Sequence, residues 1–220
     1  MDKFNAPRGL NLIFVCGRSP ALTIRKWAYL FWTTLLWGMG SAIAAGLILL
    51  LWDQEFTFFG LGFNVTTMLL GGATISVLTQ MGFFAYLLLR MIMMGMIRKK
   101  LLWDFLQVFL IIVTLYELAS IRYLSFGEGA SFIRFFDLPA IILVISLAIA
   151  LWKVKLTNRL AFLPTLFFMV VITVLEAVPA LKLNIGASTF FMLTPLICCN
   201  AWQILILHKV LNNNKEKPAS

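Results

Sequence analysis

Two stretches in the last third of the chain decide its fold. Residues 161–181 read AFLPTLFFMVVITVLEAVPAL, and residues 190–207 read FFMLTPLICCNAWQILIL. Each stretch is about as long as a bilayer-spanning helix and places one strongly polar residue near a proline. A polar group at that depth is costly unless it faces the interior of a helix bundle and has a partner there. Both stretches therefore predict packed transmembrane helices. The polar residues and their prolines are Glu176 with Pro179 and Asn200 with Pro195.

The composition places the whole chain in the same class. Hydrophobic residues make up 61% of its 220 residues, charged residues only 12%, and the mean hydropathy is +0.95. Soluble domains average about 45–50% apolar and about 25% charged residues, so an ordinary soluble domain is excluded. We expect a multi-pass protein of the cell membrane, in contact with lipid. The net charge of +9 does not indicate nucleic-acid binding, because the basic residues cluster at the ends of apolar runs.

The apolar runs predict an all-α fold, a polytopic membrane bundle of six transmembrane helices. The fourth run is the shortest and covers only about 22 Å, against a hydrocarbon core of about 30 Å. A re-entrant segment is the alternative there, but the basic residues that follow the run favour a full span. The predicted spans are residues 27–52, 63–89, 101–121, 138–152, 161–181 and 190–207 within a transmembrane domain of residues 27–208.

The basic residues also predict the orientation of the bundle. With six spans and both termini in the cytoplasm, only three of the 18 lysines and arginines lie outside, Arg122, Arg134 and Lys182. We expect the basic segment 1–26 to lie on the cytoplasmic face and residues 209–220 to form a cytoplasmic tail.

Small residues recur at helical spacing in the first two runs. Because residues four apart share a helix face, they predict surfaces on which another helix approaches closely. The candidate packing residues are Gly38, Ala42 and Gly46 in the first run and Gly72 and Ser76 in the second.

A search for catalytic motifs is negative. The chain has a single histidine, no paired-cysteine or HExxH metal spacing, no GxSxG element and no glycine-rich phosphate loop. A metal site would lack ligands, and a serine or cysteine nucleophile would lack a base. We therefore expect no enzyme activity, no catalytic, cofactor-binding or metal-binding residues, and no cofactor.

Polar residues inside the predicted spans are the remaining candidates. One interpretation is that they form interhelical contacts by hydrogen bonding. The alternative is a small ion-coupled transporter or carrier in which Glu117 and Glu176 hold a proton or cation. Pro179 and Pro195 remove backbone hydrogen bonds and are expected to loosen their helices. The candidate contact residues are Gln80, Glu117, Glu176, Asn200 and Gln203.

Four segments resemble one family of membrane proteins. They read TQMGFFAYLLL at 79–89, LLWDFLQVFLI at 101–111, LTNRLAFLPTLFFMVVITVLEAVPAL at 156–181 and PLICCNAWQIL at 195–205. These are similar to the KinB-signalling pathway activation proteins (KbaA-like) of endospore-forming bacteria, and the likeness runs from residue 27 to residue 208. The ordered polar and proline positions that carry it are Thr157, Asn158, Pro164, Glu176, Pro179, Pro195, Asn200 and Gln203.

The resemblance implies a function that composition and spacing do not show. It implies a bacterial cell-membrane protein that promotes signalling by a membrane sensor histidine kinase of the KinB type into the sporulation phosphorelay. The kinase would be the partner, reached through helix-helix contact in the membrane. A helix bundle with small-residue faces and no catalytic groups agrees with that role.

Overall fold

The computed structural model describes residues 24–53, 58–97, 100–126, 135–181 and 186–212, and every regular element within them is helical. The α-helices are α1 (Ile24–Asp53), α2 (Phe58–Met96), α3 (Lys100–Phe126), α4 (Asp137–Leu156), α5 (Phe162–Phe167), α6 (Thr173–Leu181) and α7 (Gly186–Asn212). A short 3₁₀ turn, Arg159–Ala161, precedes α5, and a π-helical segment, Phe168–Ile172, joins α5 to α6.

Six helical stretches in these residues are long and apolar enough to cross a membrane, which confirms the predicted all-helical class and agrees with the six apolar runs of the sequence. The fifth stretch, Arg159–Val178, combines α5, the π segment and most of α6. The fourth helix is longer than its apolar run, because it takes in Lys153 and Lys155 before it ends at Leu156. Its 20 residues are enough for a span of about 30 Å. The terminal segments 1–23 and 213–220 lie outside the described residues.

The fifth stretch lies in the centre of the bundle. Every residue from 167 to 174 is buried, including all five residues of the π segment. Phe168 packs its ring on Phe83 and Tyr86 of α2, with ring centroids 5.7 and 5.0 Å apart. The surrounding helices instead expose large apolar side chains such as Leu36 and Phe105, as expected of surfaces that face lipid.

The two small-residue stripes face each other across α1 and α2. A Cβ atom added to Gly72 would lie 2.6 Å from the Cβ of Ala42 and 2.7 Å from the carbonyl oxygen of Gly38. Real Cβ atoms do not approach that closely, so the absence of a side chain at residue 72 sets the distance between the helices. Ser76 then donates a 3.1 Å hydrogen bond across the interface to the carbonyl oxygen of Thr34.

The direction of the bundle across the bilayer remains a prediction from the basic residues. A reporter that is active only outside the cell should give signal when it is fused after residue 130, because that loop is predicted to be external. The same reporter fused after residue 156 should give none. The reversed pattern would contradict the orientation and leave the basic clusters on the wrong side.

Candidate functional site

Three buried polar side chains from α6 and α7 meet inside the bundle, and we call them the Glu176 cluster: Thr173, Glu176 and Asn200. The Asn200 Nδ2 group donates to Glu176 Oε2 at 2.9 Å and to Thr173 Oγ1 at 3.1 Å. Glu176 is 9% exposed, and the other two are fully buried. Thr173 and Glu176 are three residues apart on one helix, so they present both acceptors to the same amide.

A glycine of the second span makes room for the carboxyl group. A Cβ atom at Gly82 would collide with Glu176 Oε1 and would lie 3.0 Å from Cγ2 of Ile172. Sequence reasoning missed this contact. A glycine in a helix interior costs roughly 1 kcal/mol relative to alanine, and that cost was the signal that something packs closely there.

Two acceptor atoms of the cluster have no hydrogen-bond partner within the described residues, Glu176 Oε1 and Asn200 Oδ1. A buried polar atom without a partner is destabilising by about 1–3 kcal/mol, so a donor supplied to either oxygen would stabilise the cluster. A proton or a small cation is the kind of ligand that two such oxygen atoms bind. No group of three or more histidine, cysteine or acidic residues suited to a metal occurs in the described part of the chain.

The other predicted contact residues lie elsewhere. Gln80 is buried and donates a 3.2 Å hydrogen bond to the carbonyl oxygen of Phe31. Gln203 is fully buried, and neither of its amide atoms has a partner among the described residues. Glu117 lies on the exposed side of α3, in contrast to the buried Glu176. The structure therefore brings together Glu176 and Asn200 only.

The irregular backbone in this region lies before Glu176, and not at either of the two prolines that were predicted to loosen their helices. The π segment ends at Ile172, next to Thr173, and π-helical turns often occur at functional sites. Pro195 is buried inside α7 without ending that helix. The backbone of α6 is helical through residue 179.

A second polar contact adjoins the cluster through Cys199, the neighbour of Asn200. Its sulfur lies 3.4 Å from Ser76 Oγ and 3.7 Å from the carbonyl oxygen of Thr34. The side chain is buried, and its thiol is not part of a disulfide. This contact fixes α7 against the interface between α1 and α2.

Comparison with known proteins gives two matches. The model of the family described as KbaA, KinB-signalling pathway activation in sporulation, matches residues 38–210. The chain is also 39% identical over 149 residues to the KinB-signaling pathway activation protein of Bacillus subtilis strain 168, which covers 67% of this chain and 75% of that protein. No solved structure matches the chain.

Proposed function

This chain belongs to the KbaA family of KinB-signalling pathway activation proteins, and from that premise we propose that it is an integral membrane regulator of a KinB-type sensor histidine kinase. It promotes signalling by that kinase into the sporulation phosphorelay. It acts by helix-helix contact within the cell membrane rather than by catalysis. Both termini lie in the cytoplasm, with the loop 122–137 outside.

The position of Glu117 supports a contact mechanism. This carboxyl group lies on the exposed side of α3, within the stretch Leu101–Leu124, and it has no hydrogen bond or ion pair with any other described residue. Large apolar side chains are also exposed on the same half of this helix. We call this surface the Glu117 face: Phe105, Phe109, Ile112, Val113 and Glu117.

A carboxyl group facing lipid is unfavourable, and acidic residues inside spans normally pair with another polar group. The seven residues from Glu117 to Leu124 place it about 10 Å inside the end of the span. A partner helix that carries a donor or a cation would cover the Glu117 face and satisfy the carboxyl group. The kinase is a membrane protein under this proposal, so its transmembrane helices are the proposed occupant.

Ion-coupled transport is the second candidate, and the two unpartnered oxygens of the Glu176 cluster are the observation that favours it. A carrier also needs a polar route from its ion site to one side of the membrane. Glu117 does not extend such a route, because it lies on the outer surface of the bundle while Glu176 is inside. Contact signalling therefore agrees better with the arrangement of the two acids.

Site-specific photo-crosslinking tests the contact. A photoreactive residue at Ile112 should capture the kinase in the native membrane, whereas one at Leu36 of α1 should not. The two positions are matched, since their side chains are 62% and 61% exposed and both lie within spans. Capture at Leu36 but not at Ile112 would contradict the Glu117 face as the docking surface.

Replacing Glu117 with leucine provides the functional test. The variant should accumulate normally, since the position is exposed and leucine suits lipid, but kinase-dependent sporulation should fall about tenfold, as expected when one charge-assisted contact is lost. Glu117→Gln should keep part of the activity because it retains hydrogen bonding. Wild-type sporulation in Glu117→Leu would show that this carboxyl group takes no part in activation.

A further inference from the structure

A cavity of about 270 Å³ lies at the end of the bundle where α2, α4, α5 and α7 meet. The cavity is separate from the two sites described above, because no residue of the Glu176 cluster or of the Glu117 face lines it. Two of its lining side chains are cationic, and none of the described residues that line it is acidic. Its walls also include four uncharged polar residues and five apolar ones; the polar residues are Tyr86, Thr157, Asn158 and Thr165.

The first cation, Lys153, is held inside the protein. Its side chain is 5% exposed, and its Nζ donates to the carbonyl oxygens of Ile204 at 2.6 Å and Leu205 at 3.3 Å. These bonds connect α4 to α7 and fix the position of the ammonium group. Burying an ammonium group is costly, and the two carbonyl acceptors offset part of that cost. The charge that it carries contributes positive potential to the interior of the cavity.

The second cation, Arg90, also lines the cavity and is half-buried. Its side chain lines the cavity beside the Tyr86 hydroxyl, which donates to the carbonyl oxygen of Pro164 at 3.2 Å. Tyr86 is only 1% exposed, so it forms a fixed wall beside the arginine. Asn158 uses its Oδ1 to accept a 2.7 Å hydrogen bond from the Arg159 backbone, which leaves its amide nitrogen as the group to present to a ligand.

We propose that this cavity binds an anionic phosphoryl group, with Arg90 as the principal ligand and Lys153 as a second positive charge. A planar guanidinium binds two phosphate oxygens at once. An ammonium group that is already held in place attracts the anion without the entropy cost of ordering its side chain. The phosphoryl group has two possible sources, the headgroup of an anionic phospholipid or a soluble phosphate compound. Basic pockets between transmembrane helices bind anionic headgroups. The apolar wall formed by Leu160, Pro164 and Leu207 is suited to the glycerol and acyl parts of such a lipid.

Ligand-dependent thermal unfolding of the full chain in a neutral detergent tests the proposal. Phosphatidylglycerol, phosphatidylcholine with the same acyl chains, and inorganic phosphate are added in separate titrations. A ligand that binds only the folded protein raises the midpoint of unfolding in a concentration-dependent way. We expect phosphatidylglycerol to raise it and phosphatidylcholine not to. In Arg90→Gln the half-saturating concentration of phosphatidylglycerol should rise about tenfold, the factor that corresponds to one lost charge-assisted hydrogen bond.

Lys155→Gln is the matched control, because it removes an exposed cation two residues from Lys153 that does not line the cavity. It should titrate like the wild type. Ala161→Phe is the second test variant, since it fills the cavity without changing any charge. It should also weaken the stabilisation by phosphatidylglycerol. If Arg90→Gln does not fold, this variant provides the test.

The two sources of the phosphoryl group give different results. Stabilisation by inorganic phosphate that depends on Arg90 and competes with phosphatidylglycerol would identify a soluble ligand, whereas a response to the lipid alone would identify a headgroup. Either result supports the site. Equal responses to the two lipids, or an unchanged titration in both Arg90→Gln and Ala161→Phe, would overturn it. Because the readout is stability, a failed kinase interaction and a failed anion site are distinguishable.

Discussion

Replacing Gly72 with leucine should cause the largest loss of stability among the substitutions considered for this bundle. The Cβ atom alone would come within 2.7 Å of both the Ala42 Cβ and the Gly38 carbonyl oxygen. The backbone oxygen cannot move without its helix, so α1 and α2 must separate and lose close van der Waals contact, the main source of helix association in lipid. Overpacking against backbone that cannot move belongs at the upper end of the usual range, about 3 kcal/mol. Protein level in the membrane and the midpoint of thermal unfolding in detergent should both fall.

Gly40→Leu is the matched control on α1. A Cβ atom there meets nothing within 4 Å, and glycine to leucine by itself favours a helix by roughly 0.5–1 kcal/mol. It should therefore be neutral or slightly stabilising. Ala42→Leu should behave like Gly72→Leu, while Ala44→Leu should not, since Ala42 is fully buried and Ala44 is exposed. Equal stability of the buried and exposed variants would mean that the two small-residue stripes do not pack together in the membrane.

Replacing Glu176 with leucine should have the second largest effect. It removes the carboxyl oxygen that accepts a 2.9 Å hydrogen bond from Asn200, so the buried amide keeps only its bond to Thr173. Losing a partner in this way destabilises the protein by about 1–3 kcal/mol. Kinase-dependent sporulation should drop sharply. Glu176→Gln keeps the shape of the side chain, supplies an oxygen for Asn200 and adds an N–H donor, but it cannot take up or release a proton. We expect Gln to retain most of the activity, because a contact mechanism needs the hydrogen bonds and not the titration.

Measuring sporulation together with protein level separates the two candidate mechanisms. Loss of activity in Glu176→Gln at normal protein level would contradict contact signalling and favour an ion-coupled mechanism. Gly82→Ala provides an independent check, because its methyl group would push directly on Glu176 Oε1 and should reduce activity in the same direction as Leu. Gly95→Ala is its control on the same helix, since a Cβ atom there meets nothing within 4 Å.

Sequence reasoning recovered the six long apolar helices because lipid imposes one strong condition on a chain that spans it. Backbone groups in hydrocarbon must be satisfied within a helix, so each long apolar run predicts a span regardless of its neighbours. The same reasoning located small-residue faces on α1 and α2, since spacing of four residues defines a face. It also recognised that Glu176 and Asn200 needed partners, without showing that each was bonded to the other.

The roles of individual charges required the tertiary structure. Lys153 looked like a topology signal just beyond a short span, but it lies within α4 and donates to the backbone of α7. Glu117 and Glu176 appeared equivalent in the sequence. In the structure Glu117 is exposed, whereas Glu176 is buried at 9% exposure and lies beside Asn200. Gly82 gave no sign of which atom it accommodates until the position of Glu176 Oε1 was known.

The physical reason is that the sequence specifies how far a helix extends but not how it is turned about its axis. In water, an apolar stripe on a polar helix marks the buried side; in lipid, apolar side chains suit both the interior and the surface, so that marker is lost. The sequence alone therefore determined the all-helical class, the number of helices long enough to cross a membrane, and the small-residue faces. Contacts between helices far apart in the chain decided which acid is buried, which lysine is anchored and where the cavity opens.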